Sequence, residues 1–406
     1  MDRPLAEIRR EPRSDTDTLD DDPELVRRIR NEIRERGRIT FARFMERALY
    51  EPGHGYYRRP DPGPGRQGDF ITAPETDAIF GAAIGRLLEQ AWEALGSPDP
   101  FVVTEPGAGT GALALGLLQA LRTTRSPLSD AIRVRPVDIE QARVAAFERR
   151  LAEAGFADKV IAPDDGAATP PAEIGAVVGN EVVDALPVHR VVARAPRLLE
   201  RYVTLDPDGS FVEVDDEPST PALAERLVAD GVTLADGQVA EVCLAVDAWV
   251  RDAVAHLERG FLVVVDYGRE PADLYSAERP TGTLRAFVRH TVHGDPYRNV
   301  GRQDLTADVD LAALRRAANA AGLTPVGETR QADLLVAADV GEVVRHRLHG
   351  PSADLADALA LRSALARLLD PSGMGGFAVL CWGRGVPPET RLPILEARVR
   401  PNDGRG

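Results

Sequence analysis

Seven consecutive residues, Glu105-Pro106-Gly107-Ala108-Gly109-Thr110-Gly111, carry the clearest chemistry in this 406-residue chain. Three glycines at alternate positions let a backbone turn tightly and lie against a ligand without Cβ clashes. The turn follows a short apolar run, Phe101 to Thr104, and opens a helical pattern from Ala112 to Leu121. Free N–H groups at that helix start would face the same ligand. A dinucleotide would also suit such a turn, with Ala112 in place of a third glycine. Glu105 argues against it, because a carboxylate two residues before the first glycine repels pyrophosphate and instead can hold an amino group. A methyl donor made of an amino acid, a sulfonium and an adenosine meets that demand, so the expected cofactor is S-adenosyl-L-methionine.

Further acids follow at the ends of later apolar runs. Asp138 closes Ile132 to Val137, where a carboxylate can accept from both ribose hydroxyls. Asp164 or Asp165 follows Val160-Ile161 and can accept from an adenine amino group. Ala176 to Gly179 then leads into Asn180-Glu181-Val182-Val183-Asp184-Ala185-Leu186-Pro187. Glu181 and Asp184 stand three apart, so one turn can aim both at a single site. Paired carboxylates suit a guanidinium, which they grip through charge-assisted, bidentate bonds. The competing interpretation is structural: Asn180 caps a helix and the acids complement its dipole. Asp266-Tyr267-Gly268 ends another run and offers a further wall. Histidine pairs at 290/293 and 346/349 have a three-residue spacing but no evident third ligand, so no metal is expected.

The elements that must position these residues alternate between strand and helix patterns. Strands are expected at Phe101–Thr104, Ile132–Val137, Val160–Ile161, Ala176–Gly179, Phe261–Val265 and Phe377–Trp382. The fold class is α/β: a Rossmann-like, mostly parallel sheet with helices on both faces. Ahead of it, helical spacing covers Pro23 to Arg36, Thr40 can cap a helix to Tyr50, and a third helix spans Glu75 to Leu95. Asp206-Pro207-Asp208-Gly209 marks a hairpin, while 269–330 shows little strand pattern until a helix near Leu311. The expected organisation is a disordered acidic tail (1–22), a helical segment capping the cofactor (23–98), a cofactor-binding domain (99–385) and a C-terminal tail (386–406). Substrate-covering insertions are expected at about 188–245 and 269–330.

A formal charge of −15 disfavours sequence-independent nucleic-acid binding, which draws its affinity from neutralising phosphates. No apolar run reaches the roughly 18 residues of a membrane span, so no membrane partner is expected. The N-terminus has neither a signal-peptide core nor a transit-peptide composition, which gives a cytoplasmic expectation. An acidic body can attract a basic protein segment. The oligomeric state stays open, a homodimer included.

Taken together, these residues resemble the MidA-type methyltransferases, a family that includes an arginine-methylating assembly factor of mitochondrial complex I. The likeness covers most of 37–340. It runs from Ala48-Leu49-Tyr50-Glu51-Pro52-Gly53-His54-Gly55-Tyr56-Tyr57 through Gly68-Asp69-Phe70-Ile71-Thr72, the glycine turn and the Asn180 to Pro187 block. Asp266-Tyr267-Gly268 and Gly282-Thr283-Leu284-Arg285 follow in order. Pro106 and Ala108 within the turn, Asp138 where glutamate is common, and Val183 where an aromatic is usual depart from the pattern. The resemblance implies a class I methyltransferase fold in which Gly107, Gly109 and Gly111 hug the donor and Asp138 binds its ribose. It further implies that Asp69, Thr72 and Glu75 belong to a segment closing over the cofactor, and that Asn180, Glu181 and Asp184 line the acceptor site. The expected activity is transfer of a methyl group to an arginine of a partner protein. A small-molecule or peptide methyltransferase and a non-catalytic, donor-binding assembly factor are the alternatives.

Overall fold

Residues 20–59, 71–161, 173–289, 291–349 and 355–396 are described by the computed structural model. Helix α1 (Pro23–Arg36) starts where the Asp22 carboxylate accepts the Leu25 N–H at 2.9 Å and Pro23 presets the first turn. It stops at Gly37, which takes the left-handed φ of 80°. Leu25, Val26, Ile29 and Ile33 fall on one face and are buried. Thr40 caps α2 (Phe41–Tyr50) by accepting the Arg43 N–H at 3.1 Å. The single helix expected from Glu75 to Leu95 is two: α3 (Ala73–Thr76) and α4 (Ala78–Ala94). Asp77 divides them, since its extended backbone ends one and its carboxylate caps the next through the Ile79 N–H at 3.0 Å.

A six-stranded sheet forms the centre. Its strands are β1 (Phe101–Pro106), β2 (Ile132–Val137), β3 (Glu173–Asn180), β4 (Leu257–Asp266), β5 (Thr324–Arg330) and β6 (Ala378–Arg384), in the order β5-β6-β4-β3-β1-β2. Strands β2, β1, β3 and β4 run parallel, and β6 is antiparallel to both neighbours. Helices α5 (Ala112–Thr123) and α6 (Gln141–Glu153) follow β1 and β2, while α7 (Ala245–Ala253) and α8 (Leu311–Ala320) precede β4 and β5. Every side chain from Phe261 to Val265 is fully buried, because both faces of β4 are covered. Alternation along the strand divides them: Phe261, Val263 and Val265 join the core with α4 and α5, Leu262 and Val264 the core with α7 and α8.

Val160-Ile161 does not form the expected third strand. One parallel bridge joins Val160 to Val134, too short a pairing to hold a strand by itself. The stretch read as poor in strands holds Arg285–Val288, Thr291–His293 and Asp304–Thr306, which make a small antiparallel sheet, and it ends in β5. Another sheet, of five strands, is built from Ile39–Thr40, His189–Arg194, Arg197–Leu205, Phe211–Asp216 and Val239–Val242. Its hairpin turns at Asp206 to Gly209, as the sequence suggests. Helices α1 and α2 pack on this sheet through Phe41, Phe44 and Val203. Near the C-terminus, Leu392, Ile394 and Leu395 are buried in the main core. Among the described residues no helix is long and apolar enough to cross a membrane.

Strand order reverses between β1 and β3, and the carboxyl ends of β1, β3 and β4 open beside that point. Open α/β sheets bind ligands in this crevice.

Candidate active site

The glycine turn leaves β1 with Gly107, Gly109 and Gly111 at φ of 67°, 53° and 81°, all left-handed. A Cβ on Gly107 would lie 2.9 Å from Val182 Cγ2, and one on Gly111 2.8 Å from the Phe147 ring. The turn is thus wedged between the segment after β3 and helix α6, where side chains have no room. Asp138, at the end of β2, accepts the Gly109 N–H at 3.1 Å and the Glu140 N–H at 2.9 Å. Val137 and Ile139 flank it and stay 45% and 44% exposed, unusual for such large apolar side chains beside a cleft.

A cavity of about 570 Å³ opens here, of the size that takes a small cofactor. It brings together Glu105, Gly107, Gly109, Asp138, Asn180 and Glu181, and the segment ahead of α4 adds Thr72 and Glu75. Gly111 stands behind the wall, against Phe147. Asp69, Asp164 and Asp165 lie outside the described residues. Glu75 accepts from Thr110 Oγ1 and from Arg150, each at 3.2 Å, so it clasps the turn and α6 together. Tyr50 and Tyr57, stacked with centroids 5.6 Å apart, close another side. Tyr50 donates to the Ala185 carbonyl and Tyr57 to Asp304 Oδ1, both at 2.8 Å.

Residues 181–186 form a turn rather than the helix that an N-cap role for Asn180 would require. Glu181 holds a left-handed φ of 50°, rare for a side chain of this kind and a form of strain found at functional sites. Asp266 Oδ2, at the end of β4, holds the turn by accepting the N–H groups of Val182, Val183 and Asp184 at 3.2, 2.9 and 3.3 Å. Glu181 Oε1 accepts the Ala73 N–H at 2.9 Å and Asn180 Nδ2–H at 3.1 Å. Asp184 Oδ2 accepts the Tyr267 hydroxyl. Within 180–184, the buried oxygens Asn180 Oδ1 and Asp184 Oδ1 are left without a partner.

A second cavity, of about 790 Å³, also borders this turn. It is lined by Glu181, Asp184, Tyr267, Arg285, Asp304 and Asp308 among others. Of the two carboxylates expected to act as a pair, Glu181 therefore borders both cavities and Asp184 the acidic one alone.

Burial dominates the electrostatics, since a carboxyl removed from water resists ionisation. It pushes Glu105 up to about 8, with the Asp138 charge adding to the effect. Glu181 is pushed up to about 7 by burial, opposed by the Ala73 N–H and raised further by Asp184. Asp184 rises to about 6, burial being opposed by the Tyr267 hydroxyl and by Arg285. Asp266 is held well above the ordinary range by burial and by the neighbouring Asp184 and Glu181. Glu105, Glu181 and Asp184 can therefore gain or lose protons near neutral pH, as acid–base work requires. No group of three His, Cys, Asp or Glu side chains among the described residues is arranged to hold a metal ion. His290 lies outside those residues.

Sequence reading gives no site role to Tyr50, Tyr57, Val137, Ile139 and Arg143 on the first cavity or to Arg285, Asp304 and Asp308 on the second. Val137 and Ile139 do leave a signal, two apolar residues on either side of a strand-ending acid. Asp304 lies in a block, Asp304-Leu305-Thr306, that carries the family likeness, whereas Asp308 leaves no signal and reaches the site only through the fold.

A family model described as "Putative S-adenosyl-L-methionine-dependent methyltransferase" matches residues 83–329. A solved structure described as a "likely methyl transferase from Burkholderia thailandensis bound to S-adenosyl-homocysteine" is 36% identical and superposes with a TM-score of 0.81. That match covers 90% of this chain and 92% of the other. The mitochondrial protein arginine methyltransferase NDUFAF7 homolog of Drosophila melanogaster is 29% identical over 378 residues, 86% of this chain and 82% of the relative. Its human counterpart is 29% identical over 330 residues, 74% and 71% respectively. These relatives are mitochondrial by name, which overturns the cytoplasmic expectation: composition of the N-terminus is not a guide to location here.

Proposed function

Because this chain belongs to the family of S-adenosyl-L-methionine-dependent methyltransferases, we propose that it methylates an arginine side chain of a partner protein. Its cofactor is S-adenosyl-L-methionine, which supplies an electrophilic methyl group when bound. The residues of the first cavity suit that molecule. Val137 and Ile139 offer apolar flanks for a purine, and Asp138 retains lone pairs for ribose hydroxyls. Glu105 is placed for an ammonium group, and Asn180 Oδ1 is a buried acceptor that lacks a partner. Gly107, Gly109 and Gly111 keep the turn bare enough for close approach. In this reading the segment ahead of α4 forms the cap, with Thr72 and Glu75 on its inner edge, and the inserted segment at 269–330 supplies much of the acidic cavity's wall.

One observation carries the arginine assignment: Glu181 is the common wall of a donor-sized cavity and an acid-lined one. A guanidinium entering from the acidic side meets Asp184 Oδ1, an unpartnered acceptor, and then Glu181. Asp184 grips it by a charge-assisted hydrogen bond, while Glu181 draws its charge to one side and frees a lone pair on the reacting nitrogen. With the donor bound, Glu181 would take the proton that this nitrogen gives up on receiving the methyl group from sulfur. With its carboxyl raised to about 7, Glu181 can accept that proton and release it to solvent. The names of the fly and human relatives point to the same acceptor.

The test is to incubate the full chain with methyl-labelled donor and extract proteins, then identify the labelled amino acid by mass spectrometry. Label on arginine is expected. Label on lysine or carboxyl groups, or only on small molecules, would overturn the assignment.

A further inference from the structure

Asp184 is supported by a chain of three groups that reaches across the acidic cavity. Its Oδ2 accepts the Tyr267 hydroxyl. The Tyr267 ring carries the Arg285 guanidinium over its face, with Cζ 5.0 Å from the centroid. Arg285 donates to Asp308 Oδ1, and its buried Nε has no partner. Asp308 is fixed in turn by Arg269 Nε at 2.5 Å and by its own N–H, which donates to Thr283 Oγ1 at 3.1 Å. Strand pairing sets the position of Arg285, which lies opposite Thr306 in the small antiparallel sheet.

The surroundings of Asp184 are crowded with acids. Glu181 faces it from the same turn, Asp266 and Tyr267 from the end of β4, and Asp304 from the strand Asp304–Thr306. Tyr50 of α2 and the nearby Tyr57 add two neutral phenols. Burying several carboxylates together is costly, so they cannot all ionise without a cation. Of the other arginines on this cavity, Arg269 shares Asp308 and also pairs with Asp273, and Arg330 donates to the Gly376 carbonyl. Arg285 alone of the three stands over the tyrosine that holds Asp184.

We propose that Arg285 is a positioning residue of the acceptor site, acting through Tyr267 to keep the Asp184 carboxylate charged and aimed into the acidic cavity. Its guanidinium is fixed by Asp308 and the ring face, so it biases the proton toward Glu181 without competing for Asp184 Oδ1. The division of labour follows: Asp184 stays ionised to grip, and Glu181 remains the group that exchanges a proton. This inference rests on the assignment of the acidic cavity to the acceptor, but its test needs no acceptor and so fails or succeeds separately.

The experiment is an NMR titration of the Asp184 carboxyl in the ligand-free full chain carrying isotope-labelled aspartate, with Asp184→Asn to assign the signal. A midpoint near 6 is expected for the unaltered chain. Arg285→Gln should raise it by about one unit, because a positive charge favouring the ionised form is lost. Arg285→Lys should return it to within about a few tenths of a unit. An unmoved midpoint in Arg285→Gln, or one moved equally by Arg285→Lys, overturns the proposal. Should Arg285→Gln not fold, Tyr267→Phe keeps the ring and removes the hydroxyl; a raised midpoint supports the relay and an unchanged one overturns it. S-adenosyl-homocysteine affinity, read by calorimetry, should stay within about twofold in Arg285→Gln. A large loss would place Arg285 on the donor side and reject its positioning role.

Discussion

The two cavities share Glu181 and are otherwise built from opposite materials. The first is walled by bare backbone, apolar side chains and scattered acids, and its glycine turn and ribose-side acid come from the short stretches 105–110 and 137–139. The second is walled by charged side chains gathered from beyond the ends of β3 and β4, the strands at 285–288 and 304–306, and the end of β5, with uncharged residues of 371–377 closing it. A local turn can shape itself around a ligand that is the same in every turnover, using strained glycines and helix starts. Recognition of a partner's side chain needs charges placed from several directions, and distant segments supply them. The contrast separates what binds the donor from what selects the acceptor.

Four substitutions probe that separation, and the most damaging falls on the turn itself. Gly107→Val should lower affinity for S-adenosyl-homocysteine at least about 100-fold by calorimetry. Its Cβ would strike Val182 at 2.9 Å, and the left-handed backbone adds strain. Unchanged affinity would show that the turn does not hug the donor. Glu181→Gln should cut methyl transfer by about 10², a usual loss for one positioned polar group, and leave donor affinity within about twofold. Equal losses in both would erase the distinction between the cavities.

Glu105 offers a test through protons. Its carboxyl, raised to about 8, is protonated at pH 7 in the free chain, and a cationic ligand would favour the charged form. Donor binding near pH 7 should therefore release close to one proton, visible in calorimetry with buffers of different ionisation enthalpy. Glu105→Gln should abolish that release and weaken binding by about tenfold. The sign for stability is opposite to that of a salt-bridged acid. The folded state holds this proton more tightly than the unfolded one, so the contribution is complete below about 4.5 and is lost as pH rises through about 8. Thermal midpoints of the ligand-free chain should fall across that window, less steeply in Glu105→Gln. The mildest change is expected at the clasp. Glu75→Gln weakens a partly exposed bridge to Arg150 and should speed donor release by about threefold, measured by stopped flow.

Much of the framework is legible in the sequence because it is local. Pro23, Thr40 and Gly37 announce helix ends through capping and backbone preference, and the unbroken apolar run from Phe261 to Val265 announces a strand covered on both faces. Asp77 misleads, since a single capping acid inside a helical pattern looks like a surface charge until its carboxylate is seen to start a new helix. Val160-Ile161 misleads because β-branched residues signal a strand whether or not a neighbour extends the pairing. The short strands at 285–288 and 304–306 are mutually paired, and neither has an alternation strong enough to stand out alone.

An α/β sheet, a glycine turn made for close backbone approach, and an acidic block after a long apolar strand are all properties of neighbouring residues, and the order of amino acids is enough to specify them. Three further features exist only once the chain has folded. Glu181 borders both cavities while Asp184 borders one, Asp266 holds the turn between them by three N–H bonds, and Arg285 lies above Tyr267. The reason is the range of the forces involved. Backbone preference and side-chain periodicity act over a few residues, whereas burial and charge depend on which distant segments the fold places side by side.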